Sequence, residues 1–334
     1  MALFDLPLDQ LERYTGDAVE PPDFDDFWLD TLEQGNRGPV VLDVRPCTDD
    51  LALVRTWDVT FAGFGGDPVR AWLTLPARAE GPLPAVVEYV GYGRGRGLPG
   101  ERLTWPVAGY AHLLMDCRGQ GSQYGTGGDT PDPHGAAIGG PGPIVRGVLD
   151  PAEYYYRRLV TDAVHAARAV RELDGVDRGR VVVTGNSQGG GLAVAAAGLV
   201  PDLTAVLATA PLMCDLQRVI EITDQDPYGE IVRFLSVHRD AEAAVRRTLS
   251  YLDGVSFARR ATAPLHLGIG LRDTVCPPRS AFAVRNVYGT ARAAAGPRPP
   301  IETHVYPFNH HEGGEAHHVR RQLRWLRDLL PPKP

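Results

Sequence analysis

Five residues constrain this chain more than any others: Gly185-Asn186-Ser187-Gln188-Gly189. They follow directly on the β-branched run Val181-Val182-Val183-Thr184 and lead into a small-residue stretch with helical character, Leu192 to Val200. A strand that becomes a helix within so few residues strains the backbone at the apex. The positions two before and two after the apex must then lack bulk. A serine held there is a nucleophile, and the helix behind it aims N–H groups and its positive end at an oxyanion. The chain has six serines and 38 glycines in 334 residues, so chance supplies far less than one such pentad. A glycine-rich turn that binds phosphate, or binds nothing, is the competing reading.

The surrounding pattern predicts an α/β fold. Strands are expected at 85–90, 111–117, 180–184, 203–208, 264–271 and 301–306, with helices at 159–173, 192–200 and 317–330 between or after them. Such alternation implies a mostly parallel central sheet flanked by helices. Two alternating segments before it, 51–64 and 69–75, read as antiparallel strands. Asp23 to Leu29 reads as an amphipathic helix with acids in its first turn. The expected organisation is one α/β domain over 1–334, with an N-terminal helical and antiparallel extension over 1–50 and a helical, cap-like insertion over 213–260. The Gly- and Pro-rich stretch 125–147 reads as a long ordered loop or insertion.

Composition removes several chemistries. Lys333 is the only lysine, so Schiff bases, phosphate-loop lysines and Ser-x-x-Lys acylation have no plausible donor. A net charge of −7 with scattered Arg offers no basic face for nucleic acid. No run of about 18 apolar residues and no signal-like start are present, so neither a membrane span nor export is expected. Cys47, Cys117, Cys214 and Cys276 form no C-x-x-C pair. They are expected to stay reduced in the cytoplasm.

With a strand-borne nucleophile of this kind, the acid and then the base follow in chain order. Asp273 follows the 264–271 strand and fits the acid, with an Asx-turn as its ordinary alternative. His304, His310, His311, His317 and His318 crowd the C-terminal region. His310 and His311 both fall just after the last strand, where a base belongs, and the residues alone do not separate them. His311-Glu312-Gly313-Gly314-Glu315 misses the H-E-x-x-H zinc motif at its fifth position, and paired glycines weaken the helix that motif needs.

With these residues assembled, the chain resembles the acetyl xylan esterase / cephalosporin-C deacetylase family of carbohydrate esterases. Arg118-Gly119-Gln120-Gly121, the Ser187 pentad and His311-Glu312 carry the resemblance. Gly91–Gly97, Gly147–Asp150, Thr248–Gly254 and Asp273 with Cys276-Pro277-Pro278 agree in character. The resemblance implies an α/β-hydrolase fold, a Ser187–His311–Asp273 triad, and an oxyanion hole from the Tyr92 and Gln188 amides. It implies no metal and no cofactor. It also implies an acetyl pocket near Tyr92, Trp105 and Pro227, and a homo-oligomer, often a hexamer. Arg118 reads as a structural brace, with Glu312 as one expected partner.

The expected activity is removal of acetyl groups from small substrates such as acetylated xylo-oligosaccharides and cephalosporin C. The alternatives are a peptidase or longer-chain carboxylesterase of the same fold, a non-catalytic binding protein, and a metal-binding protein using the C-terminal histidines.

Overall fold

The computed structural model describes residues 4–34, 38–48, 51–135, 142–292 and 296–330. Nine strands form one sheet: β1 (Val41–Pro46), β2 (Val54–Ala62), β3 (Pro68–Pro76), β4 (Leu83–Tyr89), β5 (Ala111–Met115), β6 (Val176–Asn186), β7 (Ala205–Thr209), β8 (Leu265–Gly270) and β9 (Ile301–Tyr306). Their spatial order is β1-β2-β3-β5-β4-β6-β7-β8-β9. β1, β2 and β3 pair antiparallel, as does β3 with β5; from β5 to β9 every pairing is parallel. Parallel strands put their C-terminal ends along one edge, and loops gathered there build sites.

Alternation along the strands divides the apolar side chains between two layers. Val87, Tyr89, Val183 and Ala208 face the helices Tyr155–Ala169 and Gln188–Leu199 within the large core. Val86, Val182, Ala205 and Leu207 face the other way, against Trp105, Tyr110, Leu326 and Leu330. The C-terminal helix Glu315–Leu329 covers that second face.

Two features differ from the expected elements. β1 is an edge strand whose Leu42 and Val44 are exposed, and it was not among the expected strands although Val40-Val41-Leu42 is an apolar run. The helix after Ser187 starts at Gln188 rather than near Leu192 and runs through Gly189, Gly190 and Gly191. Glycine disfavours helix by propensity. Here a Cβ at Gly189 would sit 2.0 Å from the Tyr89 carbonyl oxygen and one at Gly191 2.1 Å from that of Leu212, so close packing selects glycine.

The stretch 213–260 contains four helices, Leu216–Ile222, Tyr228–Val237, Glu242–Ser250 and Gly254–Arg260. The N-terminal helix Phe24–Gln34 docks on this stretch. Phe24 and Trp28 stack on Phe257 at 5.2 and 5.1 Å between ring centroids, and Trp28 Nε1 donates to the Tyr251 carbonyl at 2.9 Å. In the 125–147 stretch, the Asp129 and Thr130 amides donate to the buried Asp116 carboxylate, which anchors that part of the loop; residues 136–141 lie outside the described residues. Among the described residues, no helix is long and apolar enough to cross a membrane.

Candidate active site

Ser187 has φ +60° and ψ −122°, a conformation that side chains rarely adopt and that costs about 1–3 kcal/mol. The surroundings over-determine it. Its N–H donates to the Thr209 carbonyl at 3.0 Å, and its own carbonyl accepts from the Gly191 and Leu212 amides. A Cβ at Gly185 would fall 2.2 Å from the Gly189 carbonyl carbon, so both pentad glycines are steric requirements. The serine is largely buried, with the Cys276 thiol beside it. Burial, with Asp273 and Cys214 nearby, pushes that thiol's pKa well up, so it stays protonated and adds no charge beside the serine.

Asp273 leaves the end of β8 and is 1% exposed. Its Oδ1 accepts the Val275 and Cys276 amides, both at 2.9 Å, while Oδ2 accepts from His311 Nδ1 at 2.8 Å. The ordinary Asx-turn and the contact to the base therefore coexist in one carboxylate, and the turn fixes which oxygen is free for the imidazole. It is His311 that reaches Asp273. The neighbouring His310 is exposed, and its amide donates to Glu312 Oε2 at 3.0 Å.

Glu312 also accepts from Asn309 Nδ2 at 2.8 Å and so closes the turn that carries His311. Burial works to raise its carboxyl pKa, but the hydrogen bonds from Asn309 and the local amides prevail and hold it below the usual range.

Arg118 does not pair with Glu312. It is fully buried and forks onto Asp162 of the Tyr155–Ala169 helix, at 2.5 Å from Nε and 2.8 Å from Nη2, with Asp67 3.0 Å from Nη1. Glu312 is instead taken up by its own turn, through Asn309 and His310, while the Arg118 fork is filled by Asp162, Asp67 and Asp132. What the Arg118 motif supports is the loop after β4. Gln120 Oε1 accepts the Gly93 amide at 2.6 Å, and its Nε2 donates to Gln188 Oε1 at 2.9 Å and to Tyr155 Oη at 2.8 Å. One side chain thus links the Tyr92 loop to the start of the nucleophile helix. Gln188 Oε1 also accepts from Tyr156 Oη at 2.9 Å, which holds its side chain inward. The backbone N–H groups of Tyr92 and Gln188 donate to no acceptor among the described residues.

With this geometry in view, the chain can be compared with known proteins. The family model for acetyl xylan esterase matches residues 1–329. An acetyl xylan esterase from Paenibacillus sp. R4 superposes with a TM-score of 0.88 at 36% identity, covering 97% of this chain and 99% of that one.

The chain belongs to the acetyl xylan esterase family.

Acetyl xylan esterase 1 from Thermoanaerobacterium sp. JW/SL YS485 is a further structural relative, with a TM-score of 0.86, 28% identity, and coverage of 98% and 100%. The acetyl esterase Axe7A of Xylanibacter ruminicola is 27% identical over 322 residues, 95% of this chain and 68% of that protein. The fold is the α/β-hydrolase fold, and the chain is a carboxylic ester hydrolase acting on acetyl esters. The peptidase and long-chain alternatives are not favoured.

Tyr92 Oη donates to Glu230 Oε2 at 2.8 Å and accepts the Ile144 amide at 3.1 Å. Burial and the Glu230 charge push the phenol's pKa far up, so it stays protonated. Pro227 is buried at the start of the Tyr228–Val237 helix, one turn before Glu230. Trp105 packs edge-on to Tyr110 at 6.2 Å in the second apolar layer, and lines a cavity of about 460 Å³ with Asn186, Thr209 and Glu312. Glu230 and Asp162 carry no motif in the sequence: each is an acid on an amphipathic helix, and each meets a side chain distant in the chain, Tyr92 and Arg118.

Proposed function

We propose that Ser187, His311 and Asp273 are the catalytic triad of this acetylesterase. The observation that carries the reading is the 2.8 Å hydrogen bond from His311 Nδ1 to Asp273, on the same sheet edge as a serine held at positive φ. Ser187 Oγ attacks the acetyl carbonyl carbon as His311 Nε2 takes its proton. Asp273 keeps the imidazole in the needed tautomer and stabilises its charged form. The tetrahedral oxyanion accepts hydrogen bonds from the Tyr92 and Gln188 amides, each worth about 2.7–4 kcal/mol in comparable enzymes. Collapse expels the alcohol, protonated by His311, and leaves acetyl-Ser187. Water, deprotonated by His311, then attacks the acyl carbon, and acetate leaves with Ser187 reprotonated. Arg118, Gly119, Gln120 and Glu312 act as supports.

The substrates are small acetylated sugars, such as acetylated xylo-oligosaccharides, and cephalosporin C. Tyr92, Trp105 and Pro227 border the acetyl site. The chain works as one domain, with 1–50 as an extension and 213–260 as a cap, in a homo-oligomer, by family resemblance a hexamer. Four free thiols, three of them buried, support a reducing cytoplasmic setting.

Ser187→Ala should lower p-nitrophenyl acetate hydrolysis by at least about a thousandfold. Activity within tenfold of wild type would sink the assignment. Rates across p-nitrophenyl esters should fall steeply beyond propionyl, and a flat profile would remove the acetyl pocket.

A further inference from the structure

Far from Ser187 in chain order, the second face of the sheet carries a group of polar side chains that the esterase chemistry does not use. His266 lies on β8, Glu302 and His304 on β9, and His318 on the C-terminal helix above them. His266 pairs in register with Glu302, and Gly268 with His304. The rings of His266 and His304 are 4.8 Å apart between centroids, and those of His266 and His318 are 4.9 Å apart. Glu302 Oε1 lies 2.7 Å from His304 Nε2 and 3.8 Å from His266 Nε2. One ligand atom from each of His266, Glu302 and His304 falls within 4.8 Å of the other two.

This cluster is incompletely satisfied. His266 is wholly buried, and neither of its ring nitrogens has a hydrogen-bond partner among the described residues. His318 is 2% exposed, and its Nε2 is likewise unpartnered. Leaving a buried donor or acceptor unmade costs about 1–3 kcal/mol per group, so such atoms are rare without a reason. The other nitrogen of His318 is already oriented, since Nδ1 is bonded to Tyr306 Oη at 2.9 Å. A fixed far nitrogen with an open near one is the arrangement metal-binding imidazoles adopt. A Cβ at position 268 would fall 2.6 Å from His318 Nε2, so glycine there is what lets the imidazole come down onto the strand.

We propose that His266, Glu302 and His304, with His318 as fourth ligand, form a structural site for a divalent transition metal of the zinc class. Three imidazoles and one carboxylate suit Zn²⁺, and Co²⁺ as its spectroscopic stand-in. Ligation requires neutral imidazoles, each with a lone pair to give. Tetrahedral zinc places its ligand atoms roughly 3.3–3.5 Å apart, so the His266, Glu302 and His304 atoms, all within 4.8 Å of one another, close by small side-chain rotations, and the His318 ring turns in from 4.9 Å between centroids.

One competitor is visible. Arg321 Nη1 lies 2.9 Å from His304 Nδ1. Ligation through His304 Nε2 moves the ring proton to Nδ1 and sends this exposed guanidinium back to solvent. The metal would tie the C-terminal helix to β8 and β9. None of the four ligands is Ser187, His311 or Asp273, so its effect is expected on stability rather than on the chemical step. The site uses none of the His311-Glu312 motif, and it departs from the metal-free expectation drawn from resemblance.

The test uses untagged full-length protein purified without immobilised metal, stripped with chelator and titrated with Co²⁺ and Zn²⁺. One Co²⁺ per chain should bind with the visible bands of a tetrahedral site, and Zn²⁺ should displace it and raise the melting temperature. Glu302→Gln and His304→Gln, both on the edge strand, should each weaken binding at least about tenfold. His266→Gln should abolish it, and Arg321→Gln should tighten it. Binding no tighter than about 0.1 mM, or binding unchanged in Glu302→Gln and His304→Gln, overturns the proposal. Those two variants decide the matter even if His266→Gln fails to fold.

Discussion

The two polar clusters packed against this sheet differ in one respect: whether every charge has a partner. Around Arg118, the guanidinium meets Asp162, Asp67 and Asp132, and Arg158 forks onto Asp132 at 2.8 and 3.0 Å. Around His266, two imidazoles share the Glu302 carboxylate with the His318 ring alongside, and three ring nitrogens are left without a partner among the described residues. A buried group that is fully paired is rigid, and removing one partner strands the rest. A group left open keeps its capacity to bind. The first cluster holds the turn from which Gln120 reaches both the Tyr92 loop and the nucleophile helix. The second has no such duty toward the serine.

The contrast can be broken at several points. The largest effect is expected at Arg118. Arg118→Met leaves Asp162 buried without its cation and should cost about 3–5 kcal/mol in urea unfolding. Arg118→Lys should recover only part of this, because an ammonium lacks the planar fork. A cost below about 1 kcal/mol for Arg118→Met would mean that the pairing is not what holds the turn.

A smaller effect is expected at Glu88, an intermediate case bonded to His112 at 3.0 Å and to Arg102. Burial pushes its carboxyl up, but the His112 hydrogen bond and the Arg102 charge outweigh it and bring the pKa from 4.5 down to about 2. A depressed pKa stabilises the fold above the unfolded value, and that contribution fades as pH falls from about 4.5 to about 2. Glu88→Gln should therefore melt below wild type at pH 7, by roughly 1–2 kcal/mol after solvent screening. The two should converge near pH 2. A gap that persists there would point to packing instead of charge.

The smallest effect is expected where pairing is absent. In metal-stripped protein, His266→Leu should leave stability unchanged or raise it by about 1 kcal/mol, since it removes unsatisfied polar atoms from an apolar layer. A loss above about 2 kcal/mol, read from the same unfolding curves, would show the ring to be paired after all.

Much of the site was legible because it is local. The pentad, the acid after β8 and the two histidines after β9 are each written within a few residues of a strand end. Propensity hid the start of the Gln188–Leu199 helix, where three glycines serve packing against carbonyl oxygens rather than helix formation. The exposed edge strand β1 was not among the expected strands. Arg118 announced a brace but not its partner, since Asp162 lies 44 residues away.

By itself, then, the amino-acid sequence determined the alternating α/β order, the strained serine turn, and an aspartate and a histidine pair at successive strand ends. Steric and hydrogen-bond rules acting over a few residues suffice for these. The tertiary structure decided that His311 rather than His310 meets Asp273, that Arg118 pairs with Asp162 and not Glu312, and that Gln120 joins the two amide-bearing segments. It also decided that histidines on two strands and a helix share one buried space. Those outcomes depend on which distant segments become neighbours, and on which polar atoms burial then leaves with a partner.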